Sequence, residues 1–179
     1  MNLNVGSGQP RGIYKQPSWI NLDSAGADDI GGAGTFVRGS VLDMPADWEN
    51  KFEVVHCIHM LEHLNRNHRQ DVFNALYRVL QPGGMLYLEV PDFQEVVDNL
   101  YNSYLLRNQE LIHKWKTSIY GKQRYIGDAH HWGYDAETLK SLANQAGFRS
   151  AVTWTNAFPE KMISTHYKQE PVILLEALK

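Results

Sequence analysis

The stretch that most constrains this chain is Leu3 to Asp23, LNVGSGQPRGIYKQPSWINLD. It opens as a short strand, Leu3 and Val5 apolar between polar neighbours, and breaks at Gly6-Ser7-Gly8. Glycines directly after a strand let the backbone approach a ligand closely, because no Cβ intervenes and positive φ is open to them. A second strand, Trp19 to Leu22, ends on Asp23. A carboxylate at the tip of a second strand suits the two hydroxyls of a ribose, so the pair reads as a nucleoside cradle. A dinucleotide seat would need Gly-x-Gly-x-x-Gly opening a helix whose N-terminus holds a pyrophosphate. Here Arg11 stands at the third glycine position, Gly12 comes one place late, and Pro10 and Pro17 leave little room for a helix. A ligand with a nucleoside and no diphosphate fits this loop. A nucleotide-binding oxidoreductase would lack its pyrophosphate seat here.

The remaining pattern is that of an α/β domain. Thr35 to Gly39 predicts a third strand, followed by Ser40-Val41-Leu42-Asp43-Met44-Pro45. Phe52 to Ile58, FEVVHCI, is apolar apart from Glu53 and His56, as expected of a central parallel strand covered on both faces. A helix is expected over Arg66 to Leu80, with Val72, Phe73, Leu76, Val79 and Leu80 as its apolar stripe and Gln81-Pro82-Gly83-Gly84 as its stop. Met85 to Val90 predicts the fifth strand, Phe93 to about Trp115 one long helical segment, and Asp135 an N-cap for a helix closed by Gly147. Arg149–Thr155 and Val172–Ala177 are the last strands, joined by a long proline-bearing connection, and Asp28 to Gly34 reads as a glycine loop. Strands alternating with crossovers predict a largely parallel sheet with helices on both faces, and ligands in such sheets bind at the carboxyl ends of the strands. Gly6, Asp23, Val41 and His59 all fall at such ends.

Residues 1–179 form one domain of ordinary size. A net charge of −3 gives no general pull toward nucleic acid, and a single cysteine, Cys57, rules out an internal disulfide. With no basic-then-apolar leader and no apolar run near the ~20 residues of a membrane span, a cytoplasmic protein without membrane association is expected.

Taken in order, LNVGSG (3–8), WINLD (19–23), LDMP (42–45), HMLEHL (59–64), VLQPGG (79–84), EVPD (89–92) and HHWGYDAETL (130–139) make the chain resemble a class I S-adenosylmethionine (SAM)-dependent methyltransferase of the compact bacterial type-11-like group. The resemblance implies a Rossmann-like, mostly parallel sheet with an antiparallel last strand, and SAM as cofactor with S-adenosylhomocysteine (SAH) as product. It implies cofactor contacts from Asn4, Gly6, Ser7, Gly8, Asp23, Ser40, Val41, Leu42, Ile58 and His59. Gly6 and Gly8 would face the methionyl part, Asp23 the ribose, and Ser40 and Val41 the adenine. Many relatives carry acids where this chain has Asn4 and Ser40, and helices that commonly precede the first strand are missing. The insertion 93–128 is therefore expected to act as the lid. A SAM-binding module without catalysis is the alternative those departures support.

Methyl transfer from a sulfonium is an in-line displacement that needs positioning and, for a hydroxyl or ammonium acceptor, removal of a proton. His59, Glu62 and His63 are spaced to share one face of a helical turn after the central strand, and His130 can converge on them from the second cluster. His59 and His130 are expected nearest the transferred methyl, one of them as general base, with Glu62 or His63 orienting His59. His56, inside the strand, reads as a hydrogen-bonded core residue. His-x-x-Glu-His also matches the inverted zinc-peptidase pattern, but that family's chains are much larger. It resembles as well the Glu-x-x-Glu-His of metal-assisted O-methyltransferases; a metal is compatible with these residues but not expected, and no residue is assigned as its ligand. Arg107, Lys114, Lys116, Lys122 and Arg124, interleaved with Trp115, Tyr120 and Tyr125, make a basic aromatic stretch suited to an anionic or sugar-bearing acceptor. The acceptor expected is a hydroxyl or amine of a small molecule or glycan precursor, with nucleic acid disfavoured.

Overall fold

A computed structural model of the chain describes residues 1–8, 12–25, 34–155 and 171–179. The glycine loop expected over Asp28 to Gly34, Gly34 apart, and the proline-bearing connection before the last strand lie outside the described residues. Seven strands make one sheet: β1 (Asn2–Val5), β2 (Trp19–Asp23), β3 (Thr35–Arg38), β4 (Phe52–Ile58), β5 (Leu80–Pro91), β6 (Ser150–Thr155) and β7 (Val172–Leu178), in the order β3-β2-β1-β4-β5-β7-β6. Every neighbouring pair is parallel except those made by β7, which runs antiparallel to β5 and to β6. The helices are α1 (Arg69–Val79), α2 (Phe93–Leu105), α3 (Gln109–Tyr120) and α4 (Ala136–Ala146). None of the described helices is long and apolar enough to cross a membrane.

Alternation along the strands sends two different sets of side chains to the two faces. Leu3 and Val5, Val55 and Cys57, Leu86 and Leu88, and Leu175 and Ala177 join one core with Val72, Phe73 and Leu76 of α1 and Leu139, Leu142 and Ala143 of α4. Each fully buried Leu or Phe in this layer stabilises by roughly 1.5–3 kcal/mol. The opposite face is polar and aromatic. Register sets Asn21, Asn4, His56 and Tyr87 side by side across β2, β1, β4 and β5. Asn4 Nδ2 donates to Asn21 Oδ1 at 3.0 Å, and Asn21 Nδ2 donates to the Tyr14 carbonyl at 2.8 Å. Tyr14 belongs to a single 3-10 turn, Gly12–Lys15, which stands where this fold class usually has its first crossover helix.

Three elements differ from the sequence expectations. The long helix over Phe93 to Trp115 is two helices, because Arg107 takes a left-handed φ of 52° and Asn108 caps α3, its side chain accepting from Leu111 N at 3.1 Å. The helix expected from Arg66 begins with a 3-10 turn, Arg66–His68, capped by Asn65, before α1 proper. Gln81 to Gly84 ends α1 but also enters β5, where pairing steps from Phe52↔Leu80 to Val54↔Met85 and the glycines loop out as an irregularity.

His56 is 4% exposed, its Nδ1 lies 3.0 Å from the Tyr14 hydroxyl, and its ring meets those of Trp19 and Tyr87. Burial pushes its pKa down to about 4 and lifts that of Tyr14 to about 12, so a neutral imidazole accepts from an un-ionised phenol. A depressed folded pKa adds stability above the unfolded value, near 6.5, that is lost as pH falls toward about 4. In urea titrations, wild type should therefore lose about 2 kcal/mol more between pH 7 and pH 5 than His56→Gln. Parallel pH profiles for the two proteins would show that His56 is not held neutral.

Candidate active site

Four neighbouring parallel strands end at one cleft of about 320 Å³. β1 delivers Gly6 and Gly8, β2 Asp23, β3 Gly39, Ser40 and Val41, and β4 His59, Met60 and His63; Tyr125 to Gly127 form a further wall. Gly6 has φ +70°, its N–H donates to the Leu22 carbonyl at 2.9 Å, and a Cβ there would fall on the Met60 side chain. Backbone from β1 can meet the turn after β4 this closely only at glycine. The Gly8 N–H donates to Asp23 Oδ2 at 2.7 Å and the Ala25 N–H to Oδ1 at 2.8 Å. Two amides thus fix the carboxylate, which keeps acceptor sites for two further hydroxyls. Ser40 Oγ accepts from Leu42 N at 3.2 Å and caps the turn that buries Val41.

Gly6, Gly8, Asp23, Ser40, Val41 and His59 line the cleft. Asn4 instead spends its amide on Asn21. Leu42 is exposed, Ser7 Oγ is buried without a hydrogen-bond partner, and Ile58 pairs in register with Glu89; none of these four is among the lining residues.

At the inner end His59 takes a left-handed φ of 50°, its N–H donating to the Glu89 carbonyl at 2.9 Å. Its Nδ1 lies 3.1 Å from Glu62 Oε1 and its Nε2 2.9 Å from Glu89 Oε1. Both acids are buried, at 2% and 0% exposure. Burial opposes charge on this imidazole, but hydrogen bonds and attraction from Glu62 and Glu89 outweigh it and lift the pKa to about 10. Burial likewise opposes ionisation of Glu62, and the bond to His59 more than reverses it, holding the carboxyl below its usual range. With Nδ1 hydrogen-bonded to Glu62, Nε2 at ion-pair distance from Glu89 and its pKa raised, this imidazole is held charged, so the neutral base expected at His59 is not what this geometry presents. The expected common helical face is also absent: only Leu61–His63 forms a turn, of the 3-10 type, and His59 precedes it.

His130 meets His63 rather than His59, ring centroids 4.8 Å apart and planes at 83°. His63 Nδ1 lies 3.1 Å from the Ala129 carbonyl and His130 Nδ1 2.8 Å from the Ser118 carbonyl. Burial, helped by the nearby His63 and His59, lowers the His130 pKa against the pull of Glu62. Glu62, His63 and His130 surround a second cavity of about 40 Å³, closed by Thr117 and Ser118 of α3 and by Asp128. Asp128 accepts from Arg124 through Nε at 2.9 Å and Nη2 at 3.1 Å, which drives its carboxyl well below the usual range. In the basic aromatic stretch, Lys114 rests over Trp115 and Lys116 over Tyr104, so these cations are in part satisfied locally.

Glu89 is the residue that sequence reasoning missed. Its signal is an acid within the apolar run MLYLEV, and the register that pairs it with Ile58 sets it beside His59. The Tyr125–Gly127 wall falls within the 93–128 segment expected as a lid, and Tyr125 within its aromatic stretch, but the structure sets it against the cleft of Gly6 and Asp23, expected to take the cofactor rather than the acceptor.

A family model described as a methyltransferase domain matches residues 12–151. The chain is 31% identical over 134 residues to the ubiquinone/menaquinone biosynthesis C-methyltransferase UbiE of Pseudomonas fluorescens, covering 72% of this chain and 50% of that protein. It is 32% identical over 130 residues to the UbiE protein of Ectopseudomonas mendocina, covering 67% and 49%. The chain thus spans about half the length of the curated relatives it matches. Among solved structures, a SAM-dependent methyltransferase of Methanosarcina mazei superposes with a TM-score of 0.65 at 16% identity, over 99% of this chain and 91% of that one. A Burkholderia thailandensis 1,6-didemethyltoxoflavin-N1-methyltransferase, solved with bound 1,6-didemethyltoxoflavin and SAH, gives 0.61 at 14% identity, over 99% and 70%. At these identities the likeness is one of fold.

The Gly6–Met60 contact makes a direct prediction. Gly6→Ala should destabilise the chain by about 1–3 kcal/mol from the left-handed φ alone, with a further loss from the collision. Adding Met60→Ala should recover the second part and leave the first. Urea unfolding of wild type, Gly6→Ala, Met60→Ala and the double variant measures both, and a Gly6→Ala protein as stable as wild type would remove the close approach from the account.

Proposed function

The chain belongs to the methyltransferase-domain family, matched over residues 12–151, and from that premise we propose that it transfers a methyl group from SAM to a hydroxyl or amine of a small molecule or glycan precursor. The observation that carries this reading is the cleft itself. It gathers Gly6, Gly8, Asp23 and Val41 from three strand ends beside His59 and Met60, in a volume suited to a small ligand. Asp23 takes the ribose hydroxyls, Ser40 and Val41 border the adenine, and the Gly6–Gly8 turn faces the methionyl part. Among the described residues between β1 and β2 there is only the 3-10 turn Gly12–Lys15 and no α-helix to seat a pyrophosphate, and SAM requires none.

The sulfonium then lies beside the His59–Met60 turn, and the acceptor approaches from the inner side, where Glu62, His63 and His130 converge. His59, bridged to Glu62 and Glu89, is a positioning group. Handling of the acceptor's proton falls to the inner group, whose imidazoles each keep one nitrogen beyond their carbonyl partners. Phe93 to Asp128 covers this approach, since α3 contributes Ser118 to the inner cavity and the following loop contributes Tyr125 to the cleft.

Isothermal titration of SAH tests the cofactor. Asp23→Ala should weaken binding by roughly 2–3 kcal/mol, or about 30- to 150-fold, through lost charge-assisted hydrogen bonds. Wild-type affinity for SAH no better than for NAD, or an Asp23→Ala protein that binds as wild type, would end the assignment. The cover makes a separate prediction for hydrogen exchange: amides of 93–128 should exchange faster than those of β4 and β5, and slow when SAH is bound. Strong protection of that segment in the free protein would mean it belongs to the core.

A further inference from the structure

We propose that Glu62, His63 and His130 form a binding site for a divalent transition-metal ion. One donor atom from each lies within 4.8 Å of those of the other two. Ligands of a zinc ion at about 2.0–2.2 Å sit about 3.4 Å apart in a tetrahedral site, so closure on the order of 1 Å completes the set. The tautomers are already fixed for ligation. Nδ1 of His63 and of His130 each faces a backbone carbonyl, of Ala129 and of Ser118, and only an N–H can do so favourably. In the tautomer those carbonyls favour, Nε2 is the nitrogen that offers a lone pair to an ion, and the carbonyls play the part that outer partners play at imidazole–metal centres.

A second observation is independent of the imidazoles. Glu62 is 2% exposed, and while Oε1 engages His59, Oε2 is buried with no hydrogen-bond partner. Leaving such an acceptor unsatisfied is costly, and Glu62 lines the same cavity as the two rings. The edge-to-face contact of His63 and His130 accounts for their packing without an ion, but does nothing for Glu62 Oε2. Two imidazole nitrogens and one carboxylate oxygen suit zinc, iron(II), cobalt(II) or manganese(II), in preference to magnesium or calcium. Three protein ligands leave coordination positions open toward the cavity, where an ion would polarise a water or an acceptor oxygen. That use of the ion rests on the methyltransferase reading, and with the ion bound an ion-held water or hydroxide would take the acceptor's proton in place of the ring nitrogens. The ion site itself does not rest on that reading.

The test is titration of the EDTA-stripped full chain with Zn²⁺ by calorimetry, and with Co²⁺ followed by its visible absorption. Wild type should bind close to one equivalent, with cobalt bands of a nitrogen- and oxygen-ligated site. Glu62→Gln and His130→Ala should each weaken binding at least tenfold, while His113→Ala, exposed on α3, should leave it within about threefold. Glu62 also holds His59, so if Glu62→Gln fails to fold, His130→Ala and the wild-type cobalt spectrum decide. No stoichiometric Zn²⁺ or Co²⁺ binding by wild type, or binding unchanged in His130→Ala, overturns the proposal. SAH titration of the stripped wild type, run in parallel, reports on the cofactor reading separately, since a chain that binds SAH and no metal fails only here.

Discussion

The His59 imidazole held between two buried carboxylates is the interaction on which the functional end of this molecule depends. Carboxylates at 2% and 0% exposure are expensive to bury, by several kcal/mol each, unless each finds a charged or hydrogen-bonding partner. One imidazole serves both, and the backbone N–H of His59 donates to the Glu89 carbonyl at 2.9 Å. The clamp ties the end of β4 to the end of β5 and holds His59 at a φ of 50°, a conformation few non-glycine residues adopt. That reversal sends Met60 back under Gly6 and turns Leu61–His63 toward His130. The shape of the cleft and the convergence of the inner residues thus follow from one local geometry.

What the sequence made legible was local. The glycine turn, the acid closing β2, the strand and helix periods and the capping residues Asp135 and Gly147 are written within a few positions of where they act. The buried Asn4–Asn21 pair also lies within one strand–loop–strand unit, but nothing local shows that its amides face each other. The functional end was harder because its partners are remote. The spacing of His59, Glu62 and His63 suggests a shared helical face, and that inference assumes a helix; a left-handed residue before a 3-10 turn breaks it. Glu89 acts on His59 from the neighbouring strand, and only the β4–β5 register brings the two together. The helix over Phe93 to Trp115 failed for a related reason, since apolar periodicity continues across a break that one left-handed arginine and one asparagine cap suffice to make.

The two faces of the sheet solve burial differently. On one, α1 and α4 supply an apolar layer. On the other, the short first crossover puts Tyr14 over His56 and runs hydrogen bonds from Asn4 through Asn21 to the Tyr14 carbonyl. A buried polar row of this kind is tolerable only when nearly every group is satisfied. It gives the β1–β2 edge a defined geometry where a helix would otherwise set it, and that edge is the one that places Gly8 and Asp23 at their separation of one hydrogen bond.

His59 and His63 line both the outer cleft and the inner cavity, so a single turn, Leu61–His63, divides the two. In the proposed reaction donor and acceptor meet across that divider, and displacement at a methyl tolerates little error in position: a shift of about 1 Å can cost on the order of 10²-fold in rate. Apolar side chains could fill the space around the turn with less desolvation, but van der Waals packing accepts several rotations of so short an element. The hydrogen bond from His59 to Glu62, its ion pair with Glu89, and the bonds from His63 and His130 to backbone carbonyls accept far fewer. Replacing a buried ionic group by apolar residues is often neutral or better for stability, so the reason to retain one here is geometric. The charge is spent on holding the divider still, and the cleft and cavity on either side take their dimensions from it.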